Sequence, residues 1–301
     1  MAFPTTTHTA TTLASFIPET WGDRINDFFR SKLVMASFFT DRSSELAEGG
    51  DILYTPNMTE MSATAKSDAT AVTLSAPTDT KVTLTVNQWY EVSFAIEDRE
   101  AAQMKHSYYV QEKYAQGAGF AAAKCLEVAI AGLFDNFDTT VGTSVALLLD
   151  SDIRNAISAL EAANVDTTSD VAFFVAPAVF WKQIQALDKF SLAVNSPVND
   201  PTAKRPAAYL YGIPVYVTSN IQYISGTTGR ANALAHKDAI HWATSPLGGG
   251  GSGSTVHAGK YGVRVQTNYS PDYLSTITTA DILYGVIENI DTCGVYMKSS
   301  T

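Results

Sequence analysis

Charge is scarce in this chain. Charged residues fill only 17% of its 301 positions, while hydrophobic residues fill 46%; soluble proteins usually carry ~25% charged residues. A chain so short of charge either hides surface against partners or relies on its Thr and Ser hydroxyls for solubility. The charge that exists is one-sided: 30 acidic against 20 basic side chains give a net −10. That balance repels phosphate and argues against a dedicated reader of nucleic acid. Cysteine is nearly missing too. Cys125 and Cys293 make neither a disulfide framework nor a metal-site spacing, and they read as small buried apolar residues. The longest uncharged stretch, 206–229, contains Pro206, Pro214, Asn220 and Gln222. No ordinary membrane helix combines those residues, so no membrane span is expected.

Catalytic signatures are also lacking. The sequence holds neither a G-x-x-x-x-G-K-[ST] phosphate loop nor a G-x-S-x-G nucleophile elbow. Gly117, Gly119 and Ala122 imitate a dinucleotide fingerprint, but they sit inside a helical stripe, where small residues serve packing. His236, Asp238 and His241 suggest a metal site, yet a five-residue spacing puts the two rings on opposite faces of a strand. Asp150 and Asp152 read as helix-capping residues instead of a catalytic carboxylate pair. No catalytic residue, cofactor or metal is expected.

What is present is long-range order. The opening MAFPTTTHTATTLASFIP has no basic start and no sustained apolar run, and it reads as a flexible arm on a protein made in a cytoplasm. Residues 19–39 place Ile25, Phe28, Phe29, Leu33, Met35 and Ala36 at the spacing of an amphipathic helix. After Gly49 and Gly50, ILYTPNM and a small, polar, turn-rich stretch lead into KVTLTVNQWYEVSFAIED. From Val82 to Ile96 the even positions of that segment are apolar except Gln88, and the odd ones are mostly polar. A single two-faced strand of that length would reach roughly 50 Å at about 3.3 Å per residue. It is the returning arm of a hairpin, and an isolated ribbon is at best marginally stable. Its apolar face must therefore lie on this chain's own body or on another copy.

From Asp98 the period becomes helical, with a stripe through Ala101, Met104, Tyr108, Ala115, Ala118, Ala122, Cys125, Ala129 and Leu133, and glycines at 117 and 119 that could bend it. Asp150 is expected to cap a second helix, VAFFV to form a buried strand, and Pro177 to open a third helix. The segment 195–209 is a loop by its prolines. YLYGIPVYVT, DAIHWAT, YGVRVQTNY and ILYGVIE follow as strands, with Gly212 and Pro214 marking an edge or bulge. The glycine-rich run 248–254 is a mobile loop or a linker.

This succession resembles the HK97-fold major capsid proteins of tailed bacteriophages. The hairpin resembles the family's extended loop and the helix over 98–137 its spine helix. FFVAPAVFWKQIQALDKF, with Ala176, Pro177 and Trp181, resembles its strand, turn and Trp-containing helix. YLYGIPVYVT resembles its Gly-hydrophobic-Pro-Val strand, and KDAIHWAT its short Asp-containing strand. Each motif is weak alone, and their order carries the likeness. The resemblance implies an α+β, HK97-like fold divided into an N-terminal arm (1–48), an extended loop (49–97), a peripheral domain (98–143 and 255–284) and an axial domain (144–254 and 285–301). It further implies a non-enzymatic subunit of a virion, assembled in the host cytoplasm. Pentamers and hexamers would form an icosahedral shell, with a separate scaffold protein and a portal as partners. Double-stranded DNA would be enclosed without sequence-specific binding. Intersubunit contacts are expected at Trp21, Phe28, Phe29, Lys66, Trp89, Tyr90 and Phe94, because aromatic anchors dominate interfaces. The family's lysine cross-link is not carried over to Lys66, for which the sequence reveals no partner. The rival readings are an encapsulin-like compartment shell, a soluble hydrolase with a pocket converging on His236 or His241, and a mostly β tail or adhesion protein.

Overall fold

The structure, a computed structural model, describes residues 31, 33–46, 49–58, 61–72, 74, 76, 79–103, 107–187, 209–224, 226, 228–245, 247, 254–258 and 262–301. In chain order its elements are α1 (Met35–Phe38), β1 (Thr40–Asp41), β2 (Ile52–Met58), β3 (Asp79–Thr85), β4 (Gln88–Glu97), α2 (Asp98–Gln103), α3 (Ser107–Ala131) and β5 (Thr139–Gly142). They continue with α4 (Asp150–Ala162), β6 (Val171–Val175), α5 (Pro177–Lys182), β7 (Tyr209–Leu210), β8 (Ile213–Val217) and β9 (Arg230–His236). The last are β10 (Ile240–Thr244), β11 (Ser254–Ala258), β12 (Val263–Ser270), β13 (Ser275–Glu288) and β14 (Gly294–Ser299).

Two six-stranded sheets organise the body. In the first the order is β1-β10-β13-β12-β11, with β4 also paired to β13; in the second it is β5-β14-β9-β6-β8-β7. The first sheet is antiparallel except where β1 joins β10. Its axis is the 14-residue β13, which pairs β12 from Ser275 to Asp281, β4 from Ser275 to Tyr284 and β10 from Tyr284 to Glu288. α3 lies over β13, β4 and β12, and α4 lies against β14 and β5. The VAFFV of β6 is buried at all five positions, as a strand with neighbours on both faces and both edges must be. Residues from both sheets share one apolar cluster that includes Phe39, Leu126, Phe134, Phe174, Trp242 and Ile282.

The expected 81–98 strand is two strands in two different sheets. β3 pairs only with β2, forming the hairpin, and β4 pairs with β13. The break falls at Val86 and Asn87, immediately before Gln88, the one residue that interrupted the apolar alternation. Val86 and Leu84 are buried, whereas Gln88 is exposed. The apolar alternation keeps its phase on both sides of the crossing, and Gln88 alone marks where the ribbon leaves one sheet for the other.

The helix over 98–137 is divided between α2 and α3, residues 104–106 lying outside those described, and its last turn is a 3-10 turn at Phe134–Asn136. The buried stripe drifts by one residue in the second half: Ala122, Leu126 and Ile130 face the core, while Cys125, Ala129 and Leu133 are half-buried. Asp150 is not the cap of α4 but its first residue. Asp152 accepts the Leu149 N–H at 3.0 Å, and Asp150 instead takes Arg154 at 3.0 Å and the Tyr211 hydroxyl. Pro177 opens α5, where its missing N–H costs nothing. The Gly212 signal is the turn of the β7–β8 hairpin at the sheet edge, with Tyr211 at φ 53° and Gly212 at φ 84°, a pair of left-handed residues that suits a tight hairpin. The strands β9 and β14 were not foreseen. Of the expected 19–39 helix only α1 lies among the described residues, and the 195–208 loop and positions 248–253 lie outside them.

Candidate assembly surface

The hairpin of β2 and β3 is anchored to its own body at the base and free at the tip. At the base Leu84 and Val86 are buried with Leu46 and Ala243, and Leu53, Leu283 and Ile287 pack around them. Gly285 in β13 makes this approach possible: a Cβ there would meet Thr85 O at 2.2 Å and the Val86 Cα at 3.0 Å. Glycine inside a strand is the signature of another backbone passing close. Further out, Asn57 Nδ2 donates to the Asn289 carbonyl at 3.5 Å. Beyond that, no described contact of the ribbon's tip with the body remains. Met58, Met61, Val72 and Leu74 are 64–90% exposed, and large apolar side chains gathered on one projecting element mark a contact surface.

Lys66 belongs to this tip. Its Nζ donates to Ser67 O at 2.7 Å and Thr70 Oγ1 at 3.2 Å, bonds that close the turn locally. The other expected contact residues separate into two groups. Trp89 is 65% exposed; its indole N–H donates to Asp281 Oδ2 at 3.2 Å. Asp281 is itself buried and held by Arg264, whose Nε lies 2.9 Å from Oδ1. That carboxylate holds Arg264 above the usual guanidinium range, chiefly through the hydrogen bond. Tyr90 is half-exposed and stacks on Tyr284 at 5.9 Å, and Phe94 tilts against Tyr114 of α3 at 5.6 Å. Phe94 therefore packs chiefly on the chain's own helix. Trp21, Phe28 and Phe29 lie outside the described residues.

Where the arm enters the body, Glu127 holds it. This α3 carboxylate is wholly buried, and its two oxygens accept the N–H groups of Met35 and Ala36 at 3.0 Å each, capping α1 from 91 residues away. Burial raises its pKa, and the backbone N–H groups of Ala36, Met35 and Val34 pull it back down. Sequence reasoning passed over Glu127 because a polar residue beside an alanine stripe looks like the solvated face. It also passed over Val145, Leu147 and Leu149, all exposed on the loop after β5, around a buried Leu148 whose N–H goes to Gln183 Oε1 at 2.7 Å. The alternation in SVALLLD was the available signal.

Among the described residues, His236 and His241 line neither groove. His241 is buried in β10, and desolvation, then Arg42, lowers its pKa, while His236 Nδ1 accepts the Asp238 N–H at 3.2 Å. The described grooves run elsewhere, one along Tyr90, Cys125, Val128 and Tyr284, the other along Arg154, Ile157, Thr168 and Tyr211. Among the described residues no group of three His, Cys, Asp or Glu side chains could hold a metal ion. By length and composition 110–136 could cross a membrane, although 44% of its most apolar 18-residue window is buried inside the fold.

No protein-family model and no curated protein matches the chain. Solved structures do. A structure of Mycobacterium phage Che8 is 18% identical with a TM-score of 0.69, covering 94% of this chain and 97% of its own. The capsid of Cyanophage P-SCSP1u is 12% identical with a TM-score of 0.69, over 99% and 97%. The mature capsid of bacteriophage PhiM1 is 11% identical with a TM-score of 0.71, over 95% and 92%. Likeness over nearly the whole of each chain defines the class: the fold is α+β, that of HK97-like phage capsid chains.

Proposed function

We propose that this chain is a major capsid protein, a structural subunit that assembles with copies of itself into the shell of a tailed phage. The observation that carries the reading is the hairpin: its stem is packed on the chain's own body while its apolar tip is exposed among the described residues, in a fold otherwise matched along its length by phage capsid structures. Copies of the chain provide the missing cover. The tip residues Met58, Met61, Val72 and Leu74, with Lys66 among them, lie against a neighbouring copy, and Trp89 and Tyr90 contribute where the ribbon leaves the sheet. Trp21, Phe28 and Phe29 of the arm serve the same purpose. In this reading residues 98–143 and 255–284 form the peripheral domain and 144–254 and 285–301 the axial one, although pairing joins β10 to the sheet of β12 and β13 and β5 to the sheet of β14 and β9.

The finer features follow from the same reading: pentamers and hexamers closing an icosahedral shell, a separate scaffold and a portal, assembly in the host cytoplasm, and double-stranded DNA confined within the virion. A net charge of −10 suits a wall that confines DNA without binding it tightly. The test is the particle mass of the purified chain by light scattering, with negative-stain electron microscopy of the same sample, alone and with a scaffold protein supplied. Closed shells tens of nanometres across, or rings of five and six, are expected; a monomer under both conditions overturns the proposal.

A further inference from the structure

A second apolar patch stands apart from the hairpin, on the loop between β5 and α4. Val145, Leu147 and Leu149 are 84%, 58% and 56% exposed there, around the buried Leu148. Single exposed apolar side chains are ordinary, but several grouped on one segment mark a contact site.

The loop is built to hold these side chains outward. Gly142 turns the chain off β5 at φ 73°, where a Cβ would strike the Lys298 carbonyl. The Ala146 N–H bonds Thr143 O at 3.4 Å, and the Ala146 carbonyl accepts the Ser300 N–H at 2.7 Å. Gln183 fastens the rest: its Oε1 accepts the Leu148 N–H and its Nε2 donates to the Ser300 carbonyl, each at 2.7 Å. Asp152 takes the Leu149 N–H at 3.0 Å. The backbone under the patch is thus tied to the body, and a surface ordered beforehand loses little freedom when it binds.

The chemistry of the patch selects its partner. From Thr139 to Leu149 no residue is charged. At the boundary Asp150 is held by Arg154 at 3.0 Å and by the Tyr211 hydroxyl, and Lys298, opposite Gly142, has its Nζ over the Tyr296 ring at 4.9 Å. A lipid headgroup surface or a nucleic-acid backbone would call for cations. A bound peptide would call for a groove, and the grooves along Tyr90 and along Arg154 include none of the three residues. The fitting partner is a protein surface that is itself apolar and uncharged. A copy of this chain supplies one. Chains of net −10 repel each other, and pressing a face against its own counterpart doubles whatever charge it bears, so identical faces meet most readily where charge is absent.

We infer that Val145, Leu147 and Leu149 form a like-to-like contact, in which the same loop from two or more copies meets across a rotation axis and buries its aliphatic side chains together. The inference rests on the proposed assembly of copies and names a surface of the body that takes part in it besides the hairpin tip.

The test introduces Val145→Cys into the full-length protein and treats assembled particles with a short bis-maleimide. The unmodified chain, whose Cys125 and Cys293 are half-buried, is the control. Covalent dimers joined at position 145 are expected in the variant and not in the control. Leu147→Asp places a charge from every copy at the contact, and it should raise the protein concentration at which particles appear by about tenfold or more. Its urea midpoint should stay near that of the parent, because the side chain is exposed; if Leu147→Asp unfolds, the crosslink decides alone. Particles without dimers joined at 145, or folded Leu147→Asp assembling at the parental concentration, overturn the inference and leave the assembly reading in place. An unmodified chain that stays monomeric at every concentration, with a scaffold protein supplied, overturns both.

Discussion

Replacing Gly285 with Ala should detach the hairpin stem from the body. The added Cβ would sit 2.2 Å from Thr85 O and 2.8 Å from its carbonyl carbon, both backbone atoms held in the β2–β3 ladder, so no side-chain rotation relieves the overlap. Overpacking of this kind costs about 1–3 kcal/mol. Lifting the ribbon to relieve it exposes Leu84 and Val86, now buried beside Ala243, and burying one such side chain is worth about 1.5–3 kcal/mol. The smaller of the two costs sets the outcome, because the chain takes the easier route, which gives a loss of about 1–3 kcal/mol. Urea unfolding measures the loss, and trypsin cleavage at Lys81 reports which route was taken: a lifted stem is cut faster at equal global stability. Gly119→Ala is the control, since its Cβ meets only Val265 Cγ2 at 4.0 Å inside α3; there Ala should be neutral or stabilise by up to about 1 kcal/mol. A Gly285→Ala protein within about 0.5 kcal/mol of the parent, cleaved no faster at Lys81, would refute the argument.

Further outcomes follow from buried polar groups. Glu127→Ala leaves the Met35 and Ala36 N–H groups without acceptors and should cost about 2–4 kcal/mol by denaturation, from roughly 1–3 for each unsatisfied donor with some relaxation. Because burial raises the Glu127 pKa, its proton is held more tightly folded than unfolded. Stability should therefore decline as pH rises from the ordinary carboxylate range through the folded value, and Glu127→Gln should remove that part of the slope in urea midpoints. Arg264→Met strands the buried Asp281 carboxylate and should cost about 3–5 kcal/mol, while quenching of Trp89 fluorescence by iodide reports whether the indole leaves Asp281. Asn232→Ala removes the acceptor of the Ala176 N–H at 2.9 Å and the donor to Ser299 Oγ at 2.9 Å, with an expected loss of about 2–3 kcal/mol in the same assay.

Local pattern made α3, α4, β6 and β10 readable, the helices by a stripe that stays on one side of a layer and the strands by short apolar runs buried on both faces. It could not reveal β9, where RANALAH is alanine-rich and buried at its middle five positions, a composition shared by helices. Nor could it reveal the break after Val86, because alternation continues through a crossing between sheets and only Gln88 marks the place. The hairpin's partner was half legible. Its apolar face was evident, but the sequence left this chain's own body and another copy both open as its partner. The stem rests on β10 and β13 because Gly285 lets it approach, a reason that exists only when 85 and 285 are neighbours in space. Glu127 escaped notice for the same reason, as its ligands are N–H groups 91 and 92 residues earlier.

The central claim, that another copy of the chain covers the free tip, is tested most directly by a photo-crosslinking residue at Leu74, which is 90% exposed, in particles of the purified protein. The account predicts products joining one chain to the next, in ladders that rise to five and six copies. Assembled particles that give only unlinked chains or links within one chain would contradict it.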